Sequence, residues 1–398
     1  MKPNLVQWGA GNIGRSFIGQ VFAQNGYSVT FIDINADLIE VLNLNHSYDV
    51  HTVSGEKSEI LVVDDVSAIN AMNQDAVDEA ITHASLMGVS VGKNVWPHIA
   101  SSLSKAILTR YKIRPLKPLD IILAENIHHA SQFVTALLKQ YLPKDFPFHS
   151  YVGLIETSIG KMVPIQEGDA LGSVRAEPYD ELIVDKDGFL QDIPRVAQLH
   201  PVSPIGAYVD RKLFIHNLGH ATSAYLGFKA NPNAIHISDV LEDSAVFNKV
   251  KTTMQQSSDV LLELYPEVFT ERALAEHIDD LLNRFRNKAL QDTVFRVGRD
   301  LRRKLRYDDR FMGILIEAQR LHKSWDSIGK AYLAALSFYA TDINHDQMPS
   351  DKECLQQMEH MNLKEKLYYI SEWEHSHLSQ GLFEEIYEGF LRIRSESL

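Results

Sequence analysis

A single cysteine, Cys354, stands among 398 residues. One thiol excludes an internal disulfide and any zinc centre built on several thiolates. No apolar run approaches the ~20 residues that span a bilayer, so no membrane partner is expected. The first apolar stretch is short and runs straight into a glycine-rich turn, unlike a secretory leader; the expected location is cytoplasmic. Positive charge is scarce too: 39 Lys and Arg stand against 52 Asp and Glu, a net charge of −13. That balance argues against nucleic acid as a partner, while leaving room for a local basic pocket that takes a small anion. No repeat, low-complexity tract or flexible linker is visible. At 45% hydrophobic and 23% charged, the composition is that of an ordinary globular protein, and the length suggests two or three domains.

The N-terminus carries the first specific pattern. Leu5 to Trp8 reads as a buried strand, followed at once by Gly9-Ala10-Gly11-Asn12-Ile13-Gly14. A helical pattern runs from Ile13 through Phe17, Ile18 and Val21, and Val29 to Ile32 forms a second strand that ends at Asp33. In this strand, G-x-G-x-x-G, helix, strand, acid order each residue has a task. Gly9 allows the tight turn, Gly11 lets backbone approach a pyrophosphate, and Gly14 lets the helix close on the sheet. The helix N-terminus offers N–H groups to the phosphates. Asp33, 19 residues beyond Gly14, is placed to accept from the adenosine ribose and to repel a 2′-phosphate, which favours NAD over NADP. Arg15 either touches a phosphate or is a solvated helix residue.

Downstream, residues 48–63 alternate around Ser54-Gly55 as a β-hairpin does. Strands are expected at Leu86 to Val91, Leu119 to Ala124 and Val152 to Ile155, with helices through Trp96 and Ile99 and over 130–142. Strands alternating with helices imply a parallel, doubly wound sheet, whose ligands sit beyond the carboxyl ends of its strands. Ser90, Val91, Gly92, Glu125 and Asn126 fall there. Residues 157–200, with several prolines, read as a connecting region. Beyond it helical patterns dominate, over 204–228, 243–264, 269–288, 308–340 and 363–396. The expected fold is an N-terminal α/β Rossmann-type domain over 1–200 and a mostly α-helical substrate domain over 201–398.

Within the helical half, Lys212, Asn217 and His220 stand at i, i+5 and i+8. At ~100° per residue they span roughly 140° of a helix surface, so one broad face can present an amine, an amide and an imidazole. This K-x-x-x-x-N-x-x-H spacing, the glycine loop and the strand-end Glu125-Asn126 pair together resemble the mannitol dehydrogenase family of polyol-specific long-chain dehydrogenases. Asn45-His46-Ser47-Tyr48, Ile183-Val184-Asp185-Lys186, Arg211-Lys212-Leu213-Phe214 and Val297-Gly298-Arg299 add to the likeness, which spans roughly residues 4–340. The resemblance implies metal-independent oxidation of a sugar-alcohol hydroxyl with NAD. It implies Lys212 as general base, Asn217 and Asn126 as donors to the alkoxide, and His220 as the group that orients the substrate oxygen. The chemistry agrees: without a metal, a base and preorganised donors must stabilise the developing alkoxide. A lysine serves as base near neutral pH only if burial or a neighbouring cation lowers its pKa to about 7–8. Arg211 is adjacent but points elsewhere on a helix, so a nearby basic cluster is the better source.

Residues 296–310 hold seven Lys or Arg. If helical, they set Arg296, Arg299, Arg303 and Arg310 near one face. The resemblance implies that Arg296 and Lys304 bind substrate hydroxyls, which leaves Arg299 and Arg303 to meet a phosphate. The expected partner is therefore a small sugar alcohol or sugar phosphate, with a phosphorylated hexitol as first choice, an unphosphorylated polyol or hexuronate as second, and a catalytically silent NAD-binding paralogue as third. A monomer or small homo-oligomer is expected. One segment departs from the family pattern: where an Asp-Arg pair is usual, this chain has Gly160-Lys161 ahead of Met162-Val163-Pro164. His128-His129 and His216 lack metal-site spacing and are read as non-ligands.

Overall fold

The computed structural model describes residues 2–54, 57–164 and 171–396. The chain divides into two compact units, one up to Val209 and one from Asp210.

The described residues of the first unit form β1 (Asn4–Trp8), β2 (Ser28–Asp33), β3 (Ser47–Ser54), β4 (Lys57–Asp64), β5 (Val66–Asn70), β6 (Leu86–Val89), β7 (Leu119–Leu123), β8 (Val152–Ser158), β9 (Ser173–Ala176), β10 (Leu182–Asp185) and β11 (Leu199–Val202). Eight of these make one sheet in the order β11-β10-β8-β7-β6-β1-β2-β5. The strands from β8 to β5 in that order are parallel; β10 joins β8 antiparallel. Adjacent residues of the central strands point to opposite faces, as strand geometry requires. Leu5, Phe31, Ile122 and Ile155 enter one core, while Val6, Ile32, Ile121 and Leu154 enter another. Near-continuous apolar strands are what a sheet covered on both faces needs.

The region expected as a mere connection, 157–200, contributes more than that. It supplies β10 and β11 to the main sheet and β9 to a three-stranded sheet, β4-β3-β9. These are four-residue strands with prolines around them, too short for alternation to register. Pro201 lies inside β11, where the strand's place at the sheet edge tolerates a missing N–H. The 48–63 hairpin is present as antiparallel β3 and β4; its turn at Gly55 lies outside the described residues.

The second unit is helical among its described residues. Helices at Ser244–Leu264 and Glu271–Phe285 start on side-chain caps from Asp243 and Thr270. Two long expected helices are each broken. The 308–340 pattern splits into Met312–Arg320 and Asp326–Ala335, with His322 left-handed between them. The 363–396 pattern splits into Leu363–Ile370 and Gln380–Ser395, with Glu372 and His377 left-handed between. A helix at Pro349–Gln357 carries no strong apolar period and was not expected. No described helix is long and apolar enough to cross a membrane.

Helical structure is nearly continuous from Ile205 to Ala230, but its middle, Lys212–Asn217, is a π-helix. The same conformation occurs after the glycine loop at Gly14–Gly19. Such wide turns are rare and concentrate at functional sites.

Candidate active site

In the first unit the glycine loop is built from three different constraints. Gly9 has φ +94°, and a Cβ there would lie 2.5 Å from the Ser90 carbonyl oxygen. A Cβ on Gly14 would lie 2.0 Å from the Gly9 carbonyl oxygen. Gly11 meets nothing within 4 Å: no packing inside the protein calls for a glycine there, and its open backbone is what close approach of a pyrophosphate needs. Gly11 and Asn12 are exposed and Ile13 half-buried at the start of the helix, where the first N–H groups have no intrahelical partner. These residues fit a dinucleotide.

Asp33 closes the loop from the end of β2. One carboxylate oxygen accepts from the N–H of Ala10 at 2.8 Å, and the other from Ile34 and Asn35. Each oxygen accepts two bonds, so acceptor capacity remains for a ribose hydroxyl. Gln7, which sequence reasoning passed over, braces the loop from below: its buried amide donates to the carbonyls of Trp8 and Gly9 and to Ser90 Oγ. Glu125 gathers the 90–92 segment by accepting from the N–H groups of Val91 and Gly92 and from the Trp96 indole. Burial pushes its carboxyl up from the usual range. Glu125 thereby holds the 90–92 segment beyond the carboxyl end of β6 in shape. Asn126 follows it, exposed beyond the carboxyl end of β7. Arg15 is not solvated: it is buried and donates to the carbonyls of Ala10, Leu171 and Ser173, which ties the loop to the chain at the start of β9.

In the second unit the π-turn changes the geometry of the Lys-Asn-His set. Its i→i+5 repeat brings residues five apart onto one face, so Lys212 and Asn217 are one wide turn apart rather than well round the helix. The Leu218 N–H bonds to Ile215 and Leu213, passing over the carbonyl of Phe214, which accepts instead from the Ser257 hydroxyl at 2.5 Å. Gly219 lets the helix close on Ser244–Leu264: a Cβ there would sit 2.5 Å from Met254 Sδ.

The ammonium of Lys212 is enclosed even though the residue as a whole is half-buried. Burial and, after it, the charge of Arg310 pull its pKa down to about 8. Arg310 is itself buried, bonded to Asp309 and to the Asn217 carbonyl. The expected basic-cluster source is thus one identified residue. His220 stacks on Phe285 with centroids 4.7 Å apart and planes 13° from parallel, and its Nε2 lies 3.2 Å from Asp292. His216 is buried, and its pKa falls well below the usual imidazole value through burial and surrounding positive groups. Among the described residues no three His, Cys, Asp or Glu side chains converge to hold a metal ion.

The basic stretch is not one helix. It forms Val294–Gly298, a break, and Leu301–Lys304. Asp300 is left-handed at the break, and Asp351 accepts from the N–H groups of Asp300 and Leu301. The four residues assigned to substrate therefore have different settings. Arg296 pairs with buried Asp292. Lys304 is buried and donates to the carbonyls of Val297 and Arg299 at 2.5 Å each, which holds the break together and uses two of its three donors. Arg299 is exposed over the Phe295 ring. Arg303 is exposed and paired with Asp300 and Asp309.

At the departure from the family pattern, Lys161 is buried, 5.2 Å above the Phe17 ring and 3.4 Å from Gln20 Oε1. Gly160 faces the Tyr179 ring.

Comparison with known proteins gives a consistent result. The profile of the mannitol dehydrogenase Rossmann domain matches residues 3–198, and that of the mannitol dehydrogenase C-terminal domain matches residues 204–382. The mannitol-1-phosphate 5-dehydrogenase of Lactococcus lactis subsp. lactis is 30% identical over 377 residues, 92% of this chain and 93% of that one. The enzyme of the same name from Streptococcus mutans is 32% identical over 354 residues, 88% and 91% of the two chains. Among solved structures, a substrate-free D-sorbitol dehydrogenase superposes with TM-score 0.79 at 13% identity, over 97% of this chain and 92% of that one. Pseudomonas fluorescens mannitol 2-dehydrogenase, in a ternary complex with NAD and D-mannitol, gives 0.67 at 14%, over 98% and 95%.

Proposed function

The chain belongs to the mannitol dehydrogenase family of oxidoreductases, and from that premise we propose that it oxidises mannitol 1-phosphate to fructose 6-phosphate with NAD, reversibly and without a metal. The observation that carries the chemistry is Lys212, an enclosed amine with a pKa near 8. At that value an appreciable fraction is neutral at physiological pH and can act as base. NAD, when bound on the Gly9–Gly14 loop with Asp33 at its ribose, supplies the hydride acceptor. Lys212 takes the hydroxyl proton, the C–H electron pair leaves with its hydrogen as hydride, and the C–O bond becomes a carbonyl. Asn217, on the same face of the π-turn, donates to the oxygen as negative charge grows there. His220 orients that oxygen, and Arg296 and Lys304 hold neighbouring hydroxyls.

The phosphorylated substrate is supported by the names of relatives that align along most of the chain. A second reading, an unphosphorylated polyol, is favoured by Arg303, whose charge is already met by two carboxylates. NADH absorbance with matched pairs of polyols and polyol phosphates tests both. We expect a far higher kcat/KM on mannitol 1-phosphate than on mannitol. The reverse order replaces the first reading with the second, and no turnover on any member leaves only a silent NAD-binding protein.

A further inference from the structure

The buried carboxylate of Asp292 has no place in the chemistry above. It is 7% exposed, and a buried charge is costly unless it is paired. Its two partners are residues of the proposed site: Nε2 of His220 at 3.2 Å and, one helical turn along its own chain, the guanidinium of Arg296. The backbone at this point is fixed independently. The Asp292 carbonyl accepts from the Ile237 N–H at 2.9 Å, and Thr293 caps the following helix through the N–H of Arg296.

We infer that Asp292 is a positioning residue that sets His220 and Arg296 in place together, an inference that rests on the proposed dehydrogenase reading. Phe285 fixes the plane of the imidazole by stacking, and Asp292 sets a buried negative charge 3.2 Å from its Nε2. The same carboxylate anchors Arg296, so the group that orients the reacting oxygen and the group that holds a neighbouring hydroxyl share one support. Sequence reasoning missed Asp292 because its partner His220 is 72 positions away; the only local signal was the i,i+4 spacing to Arg296.

The test is Asp292→Asn, which keeps the shape and removes the charge. Nitrogen NMR of histidine-labelled protein, with the His220 signal assigned through His220→Gln, should show the His220 ring-nitrogen signals moved in the variant. Steady-state kinetics should show the KM for the polyol substrate raised about tenfold or more while the Kd for NAD is unchanged, a split that general loss of structure would not produce. An unchanged His220 ring signal, or an unchanged polyol KM, overturns the inference. If the His220 signal moves as expected but the wild type turns over no polyol, the dehydrogenase reading fails and the histidine–aspartate pair stands. Should Asp292→Asn fail to fold, Asp292→Glu preserves the charge and displaces it by a methylene; it is expected to raise the polyol KM, and a wild-type KM in that variant likewise overturns the inference.

Discussion

The guanidinium of Arg310 donates to the backbone carbonyl of Asn217 at 3.3 Å, and its charge adds to burial in holding Lys212 near pKa 8. A pH profile follows from the sign of that shift. Alcohol oxidation needs the neutral amine, so kcat/KM should rise with pH and level off above about 8. Ketone reduction needs the ammonium and should decline above the same value. Arg310→Gln removes the like charge but keeps an amide donor, so the lysine pKa should rise and the oxidation limb should move to higher pH. Each unit of that movement is about a tenfold loss of neutral amine at neutral pH. Superimposable profiles for the two proteins would show that Arg310 does not tune the base.

Lys212→Ala should lower kcat for oxidation by about two to four orders of magnitude, the usual contribution of a positioned acid–base group. NAD binding should survive, because within the first unit Asp33 holds the glycine loop and Glu125 holds the 91–92 segment without Lys212. Titration with NAD alongside single-turnover kinetics separates the two effects, and near-normal turnover would remove the proposed base.

The first unit was legible because its signals are local. Alternation and apolar runs mark the central strands, and the glycine loop lies within six residues. The strands from β9 to β11 were not legible, since four residues give too little period. The second unit shows the same limit in another form. An α-helical reading sets Lys212 and Asn217 roughly 140° apart, whereas the π-turn aligns them, and the Phe214 carbonyl within it is met by Ser257 from another helix. The basic stretch reads as one helix because the carboxylate that caps its break, Asp351, is 51 residues from Asp300. The spacing of the motif was visible, but the tertiary contacts that give it meaning were not.

Two glycines six residues or fewer from the end of β1 should respond in opposite ways. Gly11→Ala places a methyl in open space, so stability should stay within about 0.5 kcal/mol of wild type. The same methyl stands where the pyrophosphate is proposed to approach, so NAD affinity should fall about tenfold, roughly 1.4 kcal/mol. Gly14→Ala drives a Cβ into the Gly9 carbonyl and should cost about 1–3 kcal/mol of stability or more. Thermal melts and NAD titrations of both variants check the contrast; unaltered NAD affinity in Gly11→Ala would place the pyrophosphate elsewhere.

Asp33→Asn should relax cofactor choice. The amide oxygen can still accept from loop N–H groups, but the repulsion of a 2′-phosphate is gone. NAD affinity should fall by about the 1.5 kcal/mol of one charged hydrogen bond, while NADP affinity rises. Binding measured with both cofactors decides it, and an unchanged ratio would free Asp33 from the ribose.

Ser257→Ala tests whether the π-turn itself matters. Its hydroxyl takes the Phe214 carbonyl that the Leu218 N–H passes over, and without it that buried carbonyl loses its side-chain donor. The expected cost is about 1 kcal/mol, visible as a lower Tm. Relaxation of the turn toward the α repeat would also carry Asn217 round the helix, away from the face it shares with Lys212. A fall in kcat with NAD affinity retained is therefore expected beside the lower Tm. A variant that melts earlier but turns over normally would mean that the π-turn is held by packing alone and that Asn217 reaches the oxygen without it.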